Sequence, residues 1–303
     1  MSHLLRVNIF NTSSNLPLMV ALEAGEFAAE GLQIEVQHTP NSDEQRAGLA
    51  AGRFDLAHAA LDNAVALIES GVDAAIVCGG DAGLNDFIVR PEIHSFADLR
   101  GKKLAVDAPN TAYALAAKKI LKNQGLLEGR DYELKLAGGT GPRAAAMASD
   151  PELACGMINP PFNFKLRSQG LKSLGTQFEL LGPYQATGAY VMRGWAQANA
   201  DVLARYLRAY IRGQRRVMDR AHNAAMLAML TTHFKLEGAA AENTYEALLT
   251  PGSGLAPDAA FNPEGFARVL SIRAEMEGMW GGTPPAAAKY LDLSHYERAL
   301  KGL

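Results

Sequence analysis

A loop of hydroxyl and amide side chains at residues 11–15, Asn-Thr-Ser-Ser-Asn, is the part of the sequence best suited to hold a small ligand. It follows a strand-like alternation of apolar and polar residues at 5–10 and precedes a predicted helix at 16–24. A further strand, predicted from residue 33, completes a βαβ unit. In such a unit the ligand crevice opens at the carboxyl ends of the strands, beside the unpaired N–H groups of helix N-termini. The loop therefore either binds a ligand or only caps the helix.

Similar polar or aromatic side chains follow the other predicted strands or begin the other predicted helices. Most are neutral hydroxyls, amides and phenols. They favour a neutral or weakly charged aromatic or heteroaromatic ligand, on which Tyr113, Phe162 and Tyr184 could stack. For several of them, a helix cap or a turn is the alternative role. The candidate ligand-binding residues are Asn11, Ser13, Ser14, Asn15, Asp62, Asn63, Asp81, Asn85, Asn110, Thr111, Tyr113, Thr140, Arg143, Asn159, Tyr184 and Thr187.

Arg143 argues for an anionic ligand instead. It ends the stretch Gly-Gly-Thr-Gly-Pro-Arg at 138–143, where flexible backbone precedes a predicted helix, an arrangement that suits a carboxylate or a sulfonate. The stretch is not a phosphate-binding Walker loop, because that spacing and its Lys-Ser/Thr ending are missing. A solvent-exposed arginine in the first helical turn is the alternative. Asp62, Asp81 and Asp107 add negative charge near the mouth of the expected ligand crevice, which disfavours a doubly charged anion.

Motifs for catalysis or metal binding are missing from the sequence. The seven histidines are dispersed, and neither His-Glu-x-x-His, Cys-x-x-Cys nor Gly-x-Ser-x-Gly occurs. We therefore expect no metal and no cofactor. His58, near the end of one predicted strand, and Cys78, at the end of the next, are the residues that could still form a nucleophilic pair. Burial of both within the sheet is the alternative.

The elements that must position these residues form two successive series of strands and helices. In the first series, helices end at Gly52 and Gly71, and short apolar strands are predicted at 54–60 and 74–78. The pattern restarts near residue 96 and includes a buried strand at 153–158, with further strand candidates at 172–176 and 189–193. Beyond residue 199 the pattern is almost entirely helical. Two parallel-sheet series with a helical tail predict an α/β protein with two similar lobes.

Size and charge limit the classes of partner. A chain of 303 residues can bury a large core, and its length favours two domains. The net charge of −3 and the pI near 6.2 argue against nucleic acid or an anionic membrane surface as a partner. The first residues show no signal-peptide pattern. We expect either a periplasmic protein whose signal peptide was removed or a cytoplasmic one.

Four stretches resemble motifs of the type 2 periplasmic binding proteins, in particular the nitrate/sulfonate/taurine and thiamine-pyrimidine-precursor group. Residues 16–36, LPLMVALEAGEFAAEGLQIEV, are similar to the opening P-L-x-V-A-x-E-x-G-x-F-x-x-E-G-L-x-V-E of that group. Residues 49–57, LAAGRFDLA, are similar to L-x-x-G-x-x-D-x-A. Residues 93–106, IHSFADLRGKKLAV, match I-x-S-x-x-D-L-K-G-K-K-V-A-V, and YLDLS at 290–294 resembles the closing Y-V-D.

The resemblance implies a two-lobed α/β fold, in which two mixed sheets flanked by helices enclose a ligand cleft. It places residues 1–90 and 191–303 in lobe one and residues 91–190 in lobe two. Cys78 and Cys155 would then lie in different lobes, where a disulfide would hinder hinge motion, so we expect none. At 150–161 the acidic residue usual in the group is missing, which leaves the ligand contacts of that strand end undefined.

The function that the resemblance implies is that of a solute-binding protein of an ABC-type importer. Such a protein closes its lobes on a small organic ligand, here heteroaromatic, carboxylate or sulfonate, and delivers it to a membrane permease. The competing hypothesis is a cytoplasmic enzyme on the same fold that acts on an aromatic acid, a sulfinate or a pyrimidine. Enzymes similar in fold use a cysteine in the cleft, whereas the first loop carries Ser13 and Ser14 and no cysteine. A ligand sensor without transport is a third possibility.

Overall fold

The computed structural model describes residues 3–236 and 238–303, and its strands in these ranges form two five-stranded mixed sheets. The strands are β1 (His3–Ile9), β2 (Leu32–His38), β3 (Leu56–Ala60), β4 (Ala74–Gly79), β5 (Asp86–Val89), β6 (Lys102–Val106), β7 (Tyr132–Leu136), β8 (Leu153–Ile158), β9 (Lys172–Thr176) and β10 (Thr187–Met192). The order is β2-β1-β3-β10-β4 in the first sheet and β7-β6-β8-β5-β9 in the second. The predicted two-lobed α/β fold is therefore confirmed.

Helices cover both sheets. They are α1 (Leu16–Glu23), α2 (Glu26–Ala29), α3 (Ser42–Ala50), α4 (Leu61–Glu69), α5 (Ala112–Asn123), α6 (Thr140–Ser149), α7 (Phe162–Ser168), α8 (Gln177–Leu181), α9 (Arg193–Ala198), α10 (Ala200–Met218), α11 (Asn223–Phe234), α12 (Ala240–Leu249), α13 (Pro263–Glu277) and α14 (Ser294–Lys301). No helix in the described part of the chain is both long enough and apolar enough to cross a membrane.

Burial explains why these segments form the sheets. Every residue of β3, β4 and β8 is buried, as expected for short apolar strands covered by helices on both faces. The long helix α10 packs closely on α1, and a Cβ at Gly213 would lie 2.4 Å from the carbonyl oxygen of Pro17. Only glycine permits this approach. Cys78 and Cys155 are free, buried thiols in different sheets.

The chain passes between the two sheets twice, and each arriving strand runs antiparallel to its neighbours. Strand β5 pairs with β8 and β9 in the second sheet, and β10 pairs with β3 and β4 in the first. The predicted division at residues 90 and 190 would leave β5 in the first lobe, although its hydrogen bonds join it to the second sheet. We therefore propose that the crossings lie at 80–85 and 182–186. Below, each lobe is the part of the chain built on one sheet.

Candidate ligand-binding site

A cavity lies between the two sheets and is lined by residues of both lobes. Its volume is about 730 Å³ with the space at its mouth included. The first lobe contributes the loop before α1, the junction of β3 and α4, the start of β10, and Tyr210 of α10. The second lobe contributes the junction of β6 and α5, the start of α6 and the end of β8. These are strand ends and helix N-termini, the positions at which this class of fold binds ligands.

Many of the predicted residues line this cavity, although whether they bind a ligand stays a prediction. Within the loop at 11–15, Asn15 is the residue before α1, but its side chain accepts no helical N–H and donates to Phe10 O at 2.8 Å instead. The loop thus does not cap α1 through this side chain. The predicted residues on the wall are Ser14, Asn15, Asn63, Thr111, Tyr113, Thr140, Arg143, Asn159 and Thr187.

The other predicted residues lie off the wall, and most of them have partners elsewhere. Asp62 forms a buried ion pair with Arg273, whose Nη2 also donates to the Asn110 carbonyl oxygen at 2.9 Å. The Asn85 amide donates to Gln177 Oε1 at 3.0 Å. Asn11 is exposed and borders a second, neighbouring pocket. The predicted residues outside the main cavity wall are Asn11, Ser13, Asp62, Asp81, Asn85, Asn110, Phe162 and Tyr184.

Several wall residues were not among the candidate binding residues. Tyr210 comes from α10, far along the chain, and the amphipathic pattern of that helix predicts only that it packs in the core. Thr12 lies within the predicted loop but was not among its candidate residues, and the alternation of β1 pointed to Phe10 only as part of a strand. Asp107 and Ser42 meet across the cleft, a contact that no local pattern indicates.

His58 and Cys78, the residues of the enzyme hypothesis, do not form a pair in this structure. Both are register partners of Ala189, one from each side, so β10 separates them by two strand spacings, or about 10 Å. His58 Nε2 lies 2.8 Å from the Tyr206 hydroxyl, and burial lowers its pKa to about 3, which leaves the imidazole neutral. Burial raises the pKa of the Cys78 thiol to about 12. Only His58 reaches the cavity wall.

Arg143 is buried at the cavity wall, so the alternative that it is a solvent-exposed first-turn arginine is wrong, and whether it binds an anionic ligand stays a prediction. Its side chain donates to Gly138 O at 2.7 Å, to Met157 O at 3.0 Å and to Thr140 Oγ1 at 3.3 Å. All of these acceptors are neutral. Burial lowers the pKa of the guanidinium to about 10, so it stays protonated at neutral pH.

Besides the bond from Arg273 to Asn110 O, hydrogen bonds from Ser13, Ser42 and Gly139 join the two lobes across the cleft. Ser13 Oγ donates to Pro160 O at 2.9 Å. Ser42, the first residue of α3, donates to Asp107 Oδ2 from its backbone N at 3.1 Å and from its Oγ at 2.6 Å. Gly139 N donates to Pro40 O at 3.2 Å. The lobes are therefore in contact around the cavity.

The sequence profile of the NMT1-like family matches residues 3–231. The chain belongs to the NMT1-like family. No curated protein is significantly similar to this family member in sequence.

Solved structures share the fold of this NMT1-like protein at low sequence identity. The ligand-binding component of an ABC-type import system from Staphylococcus aureus, with zinc bound, has a TM-score of 0.82 at 14% identity and covers 98% of this chain and 99% of its own. The periplasmic nitrate-binding protein NrtA from Synechocystis PCC 6803 has a TM-score of 0.80 at 14% identity, with 100% and 89% covered. The alkanesulfonate-binding protein SsuA from Xanthomonas axonopodis pv. citri, bound to MOPS, has a TM-score of 0.73 at 18% identity, with 96% and 97% covered.

Asp81 lies in the first crossing between the lobes, and its burial makes folding sensitive to pH. Its carboxylate accepts from Thr187 Oγ1 and from Gly83 N, yet burial raises its pKa to about 6. The folded state therefore binds more protons than the unfolded state between about pH 4 and pH 6, and stability falls as the pH rises through that window. The loss that Asp81 causes at neutral pH is on the order of 2–3 kcal/mol.

We expect Asp81→Asn to remove this contribution. The free energy of unfolding is measured in urea at pH 4.5 and pH 7. It should decline less between these two pH values in the variant than in the wild type, because the variant lacks the proton that Asp81 binds more tightly in the folded state. Glu133→Gln is a suitable control, because that carboxylate is exposed on β7 and accepts no hydrogen bond among the described residues. An unchanged slope in Asp81→Asn would show that Asp81 titrates normally in the folded protein.

Proposed function

We propose that this chain is the solute-binding protein of an ABC-type importer. It would bind a small organic molecule between its lobes, in the heteroaromatic, carboxylate or sulfonate range, and deliver it to a membrane permease. The observation that carries the proposal is the cavity of about 730 Å³, which both lobes line with hydroxyl, amide and aromatic groups. A periplasmic location belongs to the same proposal. The similar structures named as ABC import, nitrate-binding and alkanesulfonate-binding proteins support it.

The geometry of the wall supports binding by closure. A ligand at Asn15 and Asn63 of the first lobe that also touches Thr111 and Asn159 of the second would have its full set of contacts only when the lobes are together. Such a ligand shifts the protein toward the closed state by its difference in affinity for the two states. A permease that recognises the closed pair of lobes would then distinguish loaded from empty protein.

The cavity does not support the nucleophilic mechanism of the enzyme hypothesis. Cys78, the nucleophile in that hypothesis, lies off the cavity wall as a protonated thiol. His58, the base, is hydrogen-bonded to the Tyr206 hydroxyl. A thiol becomes an effective nucleophile only when a nearby base or positive charge lowers its pKa. Burial at Cys78 does the reverse.

A thermal-shift screen with heteroaromatic, carboxylate and sulfonate compounds tests the proposal, because binding to the native state raises the melting temperature. We expect a compound that raises the melting temperature and is recovered chemically unchanged by mass spectrometry. Asn15→Ala and Asn63→Ala, both on the wall, should reduce the shift. Asn110→Ala is the matched control, since this amide is exposed and off the wall. Conversion of the compound that is lost in Cys78→Ala and kept in Cys155→Ala would overturn the binding-protein proposal.

A further inference from the structure

Arg143 is a buried cation with no ion-pair partner among the described residues. The residue is 3% exposed, and its donors go to two backbone carbonyls and one hydroxyl. In the described ranges 3–236 and 238–303, no carboxylate lies within 4 Å of its guanidinium nitrogens. A buried charge is normally paired, because its removal from water is unfavourable. One N–H of Nη1 has no acceptor in the described residues, and the side chain borders the cavity.

The start of α6 adds further donors at the same place. This ten-residue helix follows Gly139, which provides no side-chain cap, and its first turn contains no acidic residue. The backbone N–H groups of Thr140 and Gly141 have no partner within the helix, as at every helix N-terminus. The positive end of the helix dipole and Arg143 therefore act on the same part of the cavity wall.

Asn159, two residues after the Met157 carbonyl that accepts from Arg143, is a second and independent sign of a missing ligand. The residue is 6% exposed, its Oδ1 has no hydrogen-bond partner among the described residues, and it lines the cavity. Buried amides in folded proteins are almost always hydrogen-bonded. A side-chain amide can present either its NH₂ or its oxygen to a ligand, so Asn159 can donate to an anionic group placed beside Arg143.

The remaining charges and surfaces define the rest of the ligand. Asp107 also lines the cavity, and its negative charge acts on Arg143, so a second negative charge on the ligand would be repelled. His58 is neutral. Phe10, Val106 and Tyr210 supply an apolar and aromatic part of the wall, which a simple inorganic anion would leave without a partner. One charge and an apolar body fit this wall best.

We infer that the ligand is an organic monoanion, with one carboxylate or sulfonate on a compact apolar ring, whose anionic group binds between Thr140, Arg143 and Asn159. The inference rests on the proposed function and narrows its ligand class. Thr140 N–H and Oγ–H, Gly141 N–H and the remaining Arg143 N–H donate to the anionic oxygens. The ring then lies toward Phe10 and Tyr210.

Calorimetric titration with matched acids and amides tests the inference: benzoate against benzamide, nicotinate against nicotinamide, with benzenesulfonate and nitrate as further probes. The acids should bind at least tenfold more tightly than their amides, and nitrate should bind more weakly than either acid. Benzoate and benzenesulfonate compared with each other distinguish carboxylate from sulfonate recognition. Equal binding of acid and amide, or binding of no acid, would overturn the inference.

Variants locate the anionic group. Arg143→Met should weaken binding of the acids about 10- to 100-fold, as expected for the loss of a hydrogen bond to a charged group, and leave amide binding unchanged. Thr140→Val removes the hydroxyl but leaves the bonds of Arg143 to Gly138 O and Met157 O, and it should weaken acid binding about tenfold even if Arg143→Met does not fold. Arg90→Met is the control, since Arg90 also donates to backbone carbonyls, of Met147 and Asp150, but lies off the cavity wall. Tight binding of a neutral compound that Thr140→Val leaves unchanged would refute the anion site and leave the import function standing.

Discussion

Arg273→Met is expected to lower the free energy of unfolding by about 3–5 kcal/mol, because it leaves the carboxylate of Asp62 buried without a partner. The two side chains form a bidentate pair, with Nε to Oδ1 at 2.7 Å and Nη2 to Oδ2 at 2.6 Å. They are 4% and 2% exposed. Urea unfolding of the variant at neutral pH measures the loss.

Two further variants test whether the loss of stability comes from the unpaired buried charge. Asp62→Asn combined with Arg273→Met should recover much of the loss, since neither charge is then left unpaired. Arg215→Met breaks a pair with Asp258 that is largely exposed, and it should cost at most about 1 kcal/mol. A loss in Arg273→Met no larger than that in Arg215→Met would contradict the expectation.

The Asp62–Arg273 ion pair also lies beside a contact between the two lobes. Arg273 lies on α13 of the first lobe, and its Nη2 reaches the carbonyl oxygen of Asn110, just before the second-lobe residue Thr111 on the cavity wall. Charged pairs between Lys119 or Lys122 of α5 and Glu275 of α13 join the same faces of the lobes. Loss of Arg273 should therefore weaken ligand binding as well as stability.

The same pair shows which part of the site the sequence could not reveal. A polar residue that begins a helix after a buried strand predicts a position near a ligand crevice, and this reasoning holds for Asn63. Asp62 satisfies the same pattern, but its partner Arg273 comes 211 residues later. Asp81 is likewise bonded to Thr187, 106 residues away. Local patterns predict the position of a strand end, whereas the partner that occupies a side chain is decided by tertiary contacts.

The fold was easier to predict from the sequence than the site, for the same reason. Short apolar runs such as 153–158 and glycine-terminated helices depend on nearby residues, and the family-like motifs cover both lobes. Strand β5 was harder to place, because its sheet is determined by its bonds to β8 and β9, which follow about 65 to 90 residues later. Tyr210 on the cavity wall depends in the same way on how α10 packs against the first sheet.

Ser13 was predicted to contact a ligand, and in the structure its hydroxyl joins the two lobes. Its hydroxyl is fully buried, lies off the cavity wall and donates across the cleft to Pro160 O. Ser42 has a similar role at the N-terminus of α3, where it donates to the Asp107 carboxylate. Pro40 and Ser42 follow β2, and Gly139 follows β7, which are edge strands remote from the crossings. Contacts at that edge must break when the cleft opens.

The double variant Ser13→Ala/Ser42→Ala should bind ligand roughly 30-fold more weakly, because it removes one neutral and one charge-assisted hydrogen bond that form only on closure. The loss should appear mainly as faster dissociation, since these bonds resist opening. Titration and dissociation kinetics with the tightest compound from the screen measure it.

Small-angle scattering without ligand gives an independent readout, because a weaker closed state raises the population of open protein and therefore the mean radius of gyration. Ser14→Ala is the matched control, one residue along the same loop: Ser14 lines the cavity and its hydroxyl bonds only to Thr12 Oγ1, at 2.8 Å, among the described residues. It should change affinity without changing the radius of gyration. If Ser14→Ala opened the cleft as much as the double variant, the bonds of Ser13 and Ser42 would not be what holds the lobes together. The conformation of the loop at 11–15 would then decide closure, and Ser13 and Ser14 would not have separate roles in closure and in ligand contact.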